Sequence, residues 1–414
     1  MPVWSDHVPS LASARSLNTA IGRIEDTRAP GRILVTGTDS VSLARLAMYA
    51  LHLGWQVAFP AGRPDVGRWE APSYSLKVVL DFDDQVVEGG QLPQREGTWD
   101  VAMSTSGTTG NPRTYGFTLD QIGGISALYR EAYRLDPAAH IVTALPAAHN
   151  FAFVAGVCSA AEAGASMVFA KRHEGVVRWL RTRHDLGRVV ILASPVLLER
   201  EGLHRVDHTD LLVDSGAAPV SRPYLLRLRD SGVDIREGYG TTETLSLTHF
   251  DTDGSRESAG TVGCVVRGVC CRIGDDNSVS VRSPFAGALL DNSFQPCGEG
   301  DAGWIDTGDL GVLDAAGRLR LVGRVGDVRL GGQWPRDILD DIGEVLGART
   351  ASVRCSGELV EIHVLSELLD QERSAVEDRV VAMTGLPRQS VSITASRRQL
   401  TYSLKLPRTA AGPT

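Results

Sequence analysis

From about residue 31 to residue 239 the chain repeats one pattern: a short apolar run of strand length, a turn or cap, then apolar residues at helical spacing. Gly31-Arg32-Ile33-Leu34-Val35-Thr36-Gly37-Thr38-Asp39-Ser40 reads as a strand, a turn and a helix N-cap. Leu43 to Leu53 reads as the helix, and Gln56-Val57-Ala58-Phe59 as the next strand. Further strands are expected at Val101-Ala102-Met103, 141–145, 165–169, 189–192 and 211–213, with helices over Leu119 to Tyr133 and Arg222 to Ser231. Parallel neighbours need a crossover connection, so this alternation predicts mostly parallel sheets covered by helices. Between about Val262 and Leu321 the strands shorten and turn residues crowd in, which predicts an antiparallel β region. After Arg324, strands near Ser352-Val353-Arg354 and 360–365 and a helix near Asp370 to Met383 predict a small α+β domain. A chain of 414 residues exceeds what one core usually supports. The expectation is an α/β protein with a large N-terminal domain over 1–323 and a small, mobile C-terminal domain over 324–414.

One loop in this frame suits a particular ligand chemistry. Ser104-Thr105-Ser106-Gly107-Thr108-Thr109-Gly110-Asn111-Pro112-Arg113 combines small residues, threonine hydroxyls and a cation within ten positions. Backbone N–H groups of such a loop can turn inward as an anion nest, and the hydroxyls and Arg113 add donors. A Walker loop is excluded, because Gly107 and Gly110 enclose two residues and no Gly-Lys-Ser/Thr follows. The first strand-helix-strand unit also lacks Gly-x-Gly-x-x-Gly, so it is not read as a dinucleotide site.

Further motifs follow in order: Pro146-Ala147-Ala148-His149-Asn150-Phe151, Ser215-Gly216-Ala217-Ala218-Pro219, Gly238-Tyr239-Gly240-Thr241-Thr242-Glu243, Asp306-Thr307-Gly308-Asp309-Leu310, Gly323-Arg324-Val325-Gly326-Asp327 and Leu406-Pro407-Arg408-Thr409-Ala410-Ala411-Gly412. In this order and rough spacing the chain resembles, over about residues 30 to 412, the adenylate-forming superfamily of acyl- and aryl-CoA synthetases, luciferases and peptide-synthetase adenylation domains. The resemblance implies that ATP and Mg²⁺ are used to join a carboxylate to the α-phosphorus with release of pyrophosphate. It implies a phosphate cradle of Thr105, Ser106, Gly107, Thr108, Thr109 and Gly110, with Arg113 where relatives carry lysine. It assigns the nucleotide to Gly216, Ala217, Gly238, Tyr239, Gly240 and Thr241, with Tyr239 on adenine and Asp309 and Arg324 on the ribose hydroxyls. It places Thr242 on the α-phosphate and Glu243 on the metal, a hard cation that prefers oxygen. Arg113, Thr242 and His149 are the residues it assigns to catalysis, and Gly326 the hinge of the small domain.

The segment around His149 and Asn150 looks like that of the aryl-acid branch, the salicylate- and 2,3-dihydroxybenzoate-activating ligases of siderophore pathways. There the histidine is an aromatic gate and the asparagine amide bonds an ortho hydroxyl. By that resemblance His149, Asn150 and Gly240 line the acid, and a small aryl acid is the expected substrate. The acceptor is left open between CoA, a carrier-protein thiol and an amine of natural-product metabolism.

Composition narrows the partners. A net charge of −8 argues against nucleic acid. No apolar run approaches the roughly 20 residues of a membrane span, and the N-terminus lacks a signal-peptide layout, so a cytoplasmic protein is expected. The cysteines, with no Cys-x-x-Cys pair, are read as buried reduced thiols.

Two departures bear on the activity: the hinge position, an Asp or Lys two residues after the arginine in the family, is Gly326 here, and the closing motif lacks its last residue. The family's closing motif ends in lysine, and here Pro413 stands at that position after Gly412. Two other readings therefore stay open: a catalytically impaired subunit that binds a nucleotide or acyl-adenylate, and an enzyme of the acyl-transfer half-reaction alone. Loss of one preorganised donor at a developing charge costs about 10²–10³ in rate. Pro413→Lys is expected to raise ATP–pyrophosphate exchange, while Lys405→Ala changes it little; a collapse in Lys405→Ala would show that this lysine has been recruited instead.

Overall fold

The computed structural model describes residues 3–4, 11–27, 29–60, 74–80, 85–90, 97–105, 113–170, 175–183, 186–202, 210–297 and 303–395. The chain forms two compact units. The first comprises Met1–Leu192, Gly240–Leu247 and Ser283–Asp301, and the second Ala193–Tyr239, Thr248–Arg282 and Ala302–Thr414.

In the first unit a seven-stranded sheet has the order Ala288–Leu290, Thr114–Phe117, Val101–Ser104, Gln56–Phe59, Arg32–Thr36, Leu76–Leu80 and Gln85–Gly89. Its four middle strands run parallel, and antiparallel strands close both edges. Strands Arg32–Thr36 and Gln56–Phe59 are buried at every position, as expected of parallel strands covered on both faces. The helix Ser40–His52 starts where Asp39 Oδ1 accepts from the Ser42 backbone N–H at 3.2 Å, so the predicted cap holds. Helix Leu119–Tyr133 matches its expectation to the residue and opens on a Thr118/Gln121 capping box. A second run of parallel strands, Val3–Trp4, Ser166–Phe169, His140–Thr143 and Val189–Ala193, carries residues 146–151 on the connection after His140–Thr143.

Arg32 ties the segment Ser283–Asp301 to this unit. Its guanidinium is wholly buried against the rings of Trp99 and Phe294, with Cζ 4.8 and 4.7 Å from their centroids. It donates to Gln56 Oε1 at 3.2 and 3.3 Å and to the Ser293 carbonyl at 3.3 Å. Weak hydration of a guanidinium and its planar shape make this stacked, hydrogen-bonded burial tolerable where an ammonium would not be.

The second unit joins a parallel pair, Leu211–Ser215 and Asp234–Tyr239, to the antiparallel strands His249–Phe250 and Cys264–Val265. A four-stranded antiparallel sheet, Cys270–Ile273, Ser278–Arg282, Ile305–Leu313 and Leu319–Arg324, fills the region expected to be β. Beyond it, strands Ala351–Ser356, Leu359–Val364 and Val391–Ala395 form a three-stranded sheet with helices Pro335–Leu346 and Asp370–Thr384. Residues from Leu330 to Val380 share one core there. The boundary expected between residues 323 and 324 falls inside this second unit.

Buried polar groups join that C-terminal core to the rest of its unit. Arg336, 6% exposed, donates to the Val220 carbonyl at 2.7 Å and to Asp340 at 3.1 Å. Asp340 accepts from the Arg222 N–H at 2.8 Å, and Glu199 from the Thr350 N–H at 2.6 Å. Glu237 lies in the same network, accepting from the Val220 N–H at 3.5 Å.

The cysteine expectation needs correction. Cys158 and Cys355 are buried, and burial pushes both thiols up to about 12, but Cys264 and Cys270, at the first positions of strands Cys264–Val265 and Cys270–Ile273, are exposed. All six are free.

Burial, opposed by Arg336, pushes the Glu237 carboxyl up from 4.5 to about 7. Between these values the folded chain holds a proton that the unfolded chain has lost, so stability falls as pH rises through the window. At 1.36 kcal/mol per pH unit the effect is bounded at about 3 kcal/mol. Glu237→Gln is therefore expected to melt several degrees above the parent at pH 8 and level with it near pH 4.5. A parent more stable than the variant at pH 8 would mean that the Arg336 pairing outweighs the burial cost.

Candidate functional site

The residues singled out from sequence divide between the two units. In the first, strands Val101–Ser104 and Thr114–Phe117 pair antiparallel and form the neck of the phosphate-type loop. The neck is closed by the Thr105 N–H on the Arg113 carbonyl at 2.8 Å and the Arg113 N–H on Thr105 Oγ1 at 2.9 Å. Ser104 Oγ and Thr114 Oγ1 add a contact of 2.9 Å below it. Such a neck fixes where the loop leaves and re-enters the sheet. Ser106, Gly107, Thr108, Thr109 and Gly110 lie outside the described residues.

Gly240–Leu247 places Thr241, Thr242 and Glu243 on a tight turn, with Thr242–Thr244 in a single 3₁₀ turn. A Cβ on Gly240 would stand 2.2 Å from the Ser246 carbonyl carbon, so only glycine allows this close approach. The Glu243 carbonyl accepts from the Gly287 N–H at 2.9 Å. Gly287 directly precedes strand Ala288–Leu290, whose Leu289 pairs with Tyr115. Burial first, then the Glu243 carboxylate, pushes the Tyr115 phenol up to about 12, with Arg113 pulling the other way. Tyr115 was not among the residues read from sequence; an aromatic two positions after the loop's cation was the available signal.

Among the described residues no three His, Cys, Asp or Glu side chains gather to cage a metal. The partly exposed Glu243 would hold a cation only together with a ligand's own oxygens, which is how Mg²⁺ commonly binds. The chemistry of this carboxylate fits Mg²⁺ with a polyphosphate.

His149 and Asn150 sit at the entry to a helix that continues as a π-helical segment, Ala152–Cys158, an expanded geometry frequent at functional positions. His149 Nδ1 accepts from the Phe151 N–H at 3.2 Å, leaving Nε2 as the protonated nitrogen in the neutral ring. Both amide atoms of Asn150 are enclosed and have no hydrogen-bond partner among the described residues. A buried amide left unpaired costs about 1–3 kcal/mol.

In the second unit Tyr239, Asp309 and Arg324 form one connected group. Tyr239 Oη donates to Asp309 Oδ2 at 2.9 Å, and Arg324 Nε meets Asp309 Oδ1 at 2.9 Å. Asp309 and Arg324 are register partners on neighbouring strands, which explains why residues 15 apart converge. Arg324 also donates to the Gly308 and Thr307 carbonyls. Burial, reinforced by Asp309, holds the Tyr239 phenol well above its usual range. Gly216 donates its N–H to the Ala193 carbonyl at 2.9 Å, and Ala217 adopts φ +74°, a strained conformation for a residue with a Cβ. Gly238 pairs with Phe250 and faces Asp214. Gly326 has φ +96° in a turn where Asp327 Oδ2 accepts from the Arg324 N–H at 2.7 Å. Gly326, expected from the resemblance to be the hinge, thus occupies a conformation that favours glycine.

Comparison with known proteins gives a consistent family signal. The model of the AMP-binding enzyme family matches residues 63–290. A methyl-dioxo-octahydroindenyl-propanoyl:CoA ligase of Rhodococcus jostii is 26% identical over 340 residues, covering 77% of this chain and 64% of that protein. An oxalate–CoA ligase of Arabidopsis thaliana is 26% identical over 62% of this chain and 54% of its own length. The chain spans 54–64% of the length of the first curated relatives it matches. Among solved structures, an anthranilate CoA ligase in complex with anthranoyl-AMP superposes with a TM-score of 0.75 at 17% identity, covering 98% of this chain and 92% of that one. That likeness shows the fold: α/β, with a large N-terminal and a small C-terminal domain.

Asp309 links Tyr239 to Arg324, so Asp309→Asn should loosen both. Hydrogen bonds to charged groups contribute about 1.5–3 kcal/mol, and AMP affinity is expected to fall about 10- to 100-fold by calorimetric titration. Unchanged affinity would separate this trio from nucleotide binding.

Proposed function

This chain belongs to the AMP-binding enzyme family, and from that premise we propose that it is an ATP-dependent acid-adenylating ligase acting on a small aryl carboxylic acid. The carboxylate oxygen attacks the α-phosphorus, the bond to the bridging β-phosphate oxygen breaks, and pyrophosphate leaves. An incoming thiol or amine then takes the acyl group and releases AMP. The relatives named above are CoA ligases, which favours CoA as the acceptor over a carrier thiol or an amine.

Bound Mg²⁺ would neutralise charge on the phosphate oxygens. The chain's own residues position groups rather than react. Thr105 and Arg113, set by the strand neck, offer donors to the polyphosphate, and Glu243 offers its carboxylate to the metal. Thr242 stands beside Glu243 on the same turn, suited to the α-phosphate. Tyr239 presents a ring for adenine, and Asp309 and Arg324 present an acceptor and a donor for the ribose hydroxyls. Residues 324–414 serve as the small domain, turning at Gly326.

The observation that carries the aryl assignment is the enclosed, unpartnered amide of Asn150 beside the gate residue His149. A neutral amide in apolar surroundings suits a planar acid with an ortho hydroxyl or amino group. The anthranilate ligase that shares the fold acts on an acid of that kind. Pro413 favours a second reading, a subunit that binds a preformed acyl-adenylate without making it.

ATP–pyrophosphate exchange across a panel of acids separates the two. Salicylate or anthranilate is expected to exceed benzoate by roughly 5- to 100-fold, the equivalent of about 1–3 kcal/mol from an unpaired buried amide. Asn150→Leu should shrink that gap. Equal exchange with octanoate and salicylate would end the aryl assignment, and exchange with no acid beside intact AMP binding would favour the second reading.

A further inference from the structure

Tyr239, whose ring the proposed function sets against adenine, packs on the core of Val262, Val279, Val281 and Leu319 and is held at two further points. Its hydroxyl is fixed by Asp309 at 2.9 Å. Its ring lies 5.8 Å from the His249 ring, centroid to centroid, tilted by 49°. The two residues are register partners on neighbouring antiparallel strands, so their side chains rise on the same face of the sheet.

Thr248 sets the state of that histidine. Its Oγ1 donates to the Tyr239 carbonyl at 3.1 Å and lies 3.0 Å from His249 Nδ1. A hydroxyl has one proton. With that proton on the Tyr239 carbonyl, the Thr248 oxygen must accept, and His249 Nδ1 carries the hydrogen. His249 Nε2 is then an acceptor, and it is buried without a hydrogen-bond partner among the described residues. His249 is wholly buried, and burial lowers its pKa to about 4, so the ring is neutral at ordinary pH. An apolar ring of similar size would fill the same space without an unsatisfied acceptor. The compensation visible in the structure is orientation, since the Nδ1–H bond to Thr248 fixes the imidazole plane beside Tyr239.

We propose that His249 is a positioning residue for the nucleotide: it wedges the Tyr239 ring from the neighbouring strand and, through Thr248, holds that ring ready for the base before ligand arrives. The proposal rests on the nucleotide role of Tyr239. Fixing a ring beforehand removes an ordering cost from binding, so loss of the wedge should appear in nucleotide affinity and leave the acid untouched. The Asp309 contact restrains only the far end of the phenol. Without His249 the ring loses its contact from the neighbouring strand and keeps only its hydroxyl bond and the core beneath it.

Calorimetric titration with AMP, exchange kinetics and melting temperature would be measured for His249→Ala, His249→Phe, Thr248→Val and the parent. His249→Ala is expected to weaken AMP binding about tenfold, as removal of a packing partner worth about 1.4 kcal/mol implies, with KM for ATP raised and KM for the acid unchanged. His249→Phe restores the wedge and should bind AMP within about threefold of the parent, while melting higher because the unsatisfied nitrogen is gone. Thr248→Val keeps the imidazole, frees its plane and should fall between the two. If His249→Ala does not fold, the Phe and Val variants still decide. AMP affinity equal in parent and His249→Ala, equal losses for ATP and acid, or His249→Phe as weak as His249→Ala would each overturn the proposal. Failure of the parent itself to bind AMP, with the fold intact, would remove the nucleotide role of Tyr239 and the proposal with it.

Discussion

Each compact unit is closed by a buried arginine, and the requirement that a guanidinium inside a protein find partners for its donors organises the rest. Charge placed in a low-dielectric interior is tolerated only when paired and hydrogen-bonded. Arg32 meets that condition with two aromatic faces, Gln56 and a carbonyl from the Ser283–Asp301 segment. It thereby brings residues 261 apart together. Arg336 meets it with the Val220 carbonyl and Asp340, joining the C-terminal helix to the segment that precedes strand Asp234–Tyr239. These contacts are directional where apolar packing is not, so they select one arrangement among several that would bury similar area.

The fold was legible wherever the hydrophobic period was strong. Helix Leu119–Tyr133 matched to the residue, and the strands at 101, 189 and 211 were misjudged only at their ends, where fraying and register decide the last pair. Helix Pro335–Leu346 was missed although Ile338, Leu339, Ile342 and Leu346 mark its buried face. The preceding Gly331, Gly332 and Gln333 and the acidic residues between those positions mask the period. The π-helical turns over Ala152–Cys158 could not be read, because an unbroken run of small apolar residues carries no period. The candidate site divides the same way. Motif residues were legible by type, whereas the Asp309 contacts with Tyr239 and Arg324 depend on sheet register and had no sequence signal.

That register has a chemical consequence. Both oxygens of Asp309 are already engaged, one by Tyr239 and one by Arg324. A sugar hydroxyl arriving there must share or replace these bonds rather than satisfy idle groups. The net gain per bond is then modest, since one hydrogen bond is exchanged for another. What the arrangement supplies is preorganisation: acceptor, donor and aromatic ring stand at fixed separations before any ligand arrives. The clamped neck at Thr105 and Arg113 follows the same logic, with a rigid strand pair presenting a loop built from small residues.

Not every buried polar group among the described residues is satisfied in this way, and some of the exceptions lie beside motif residues. Asn150, Glu237 Oε2 and His249 Nε2 are buried atoms or groups without partners. Asn150 follows His149, Glu237 lies two positions before Tyr239, and His249 is the register partner of Tyr239. Each has a cheaper isostere: leucine for asparagine, glutamine for glutamate, phenylalanine for histidine. A sequence shaped by stability alone would be expected to take those replacements, since an unpaired buried polar atom lowers stability with no structural return. Local rules are broken where a site asks for something stability does not. Unpaired buried atoms also occur away from the motifs, at Ser126, Ser352 and His363, so what sets Asn150, Glu237 and His249 apart is their place beside motif residues, each within its own unit.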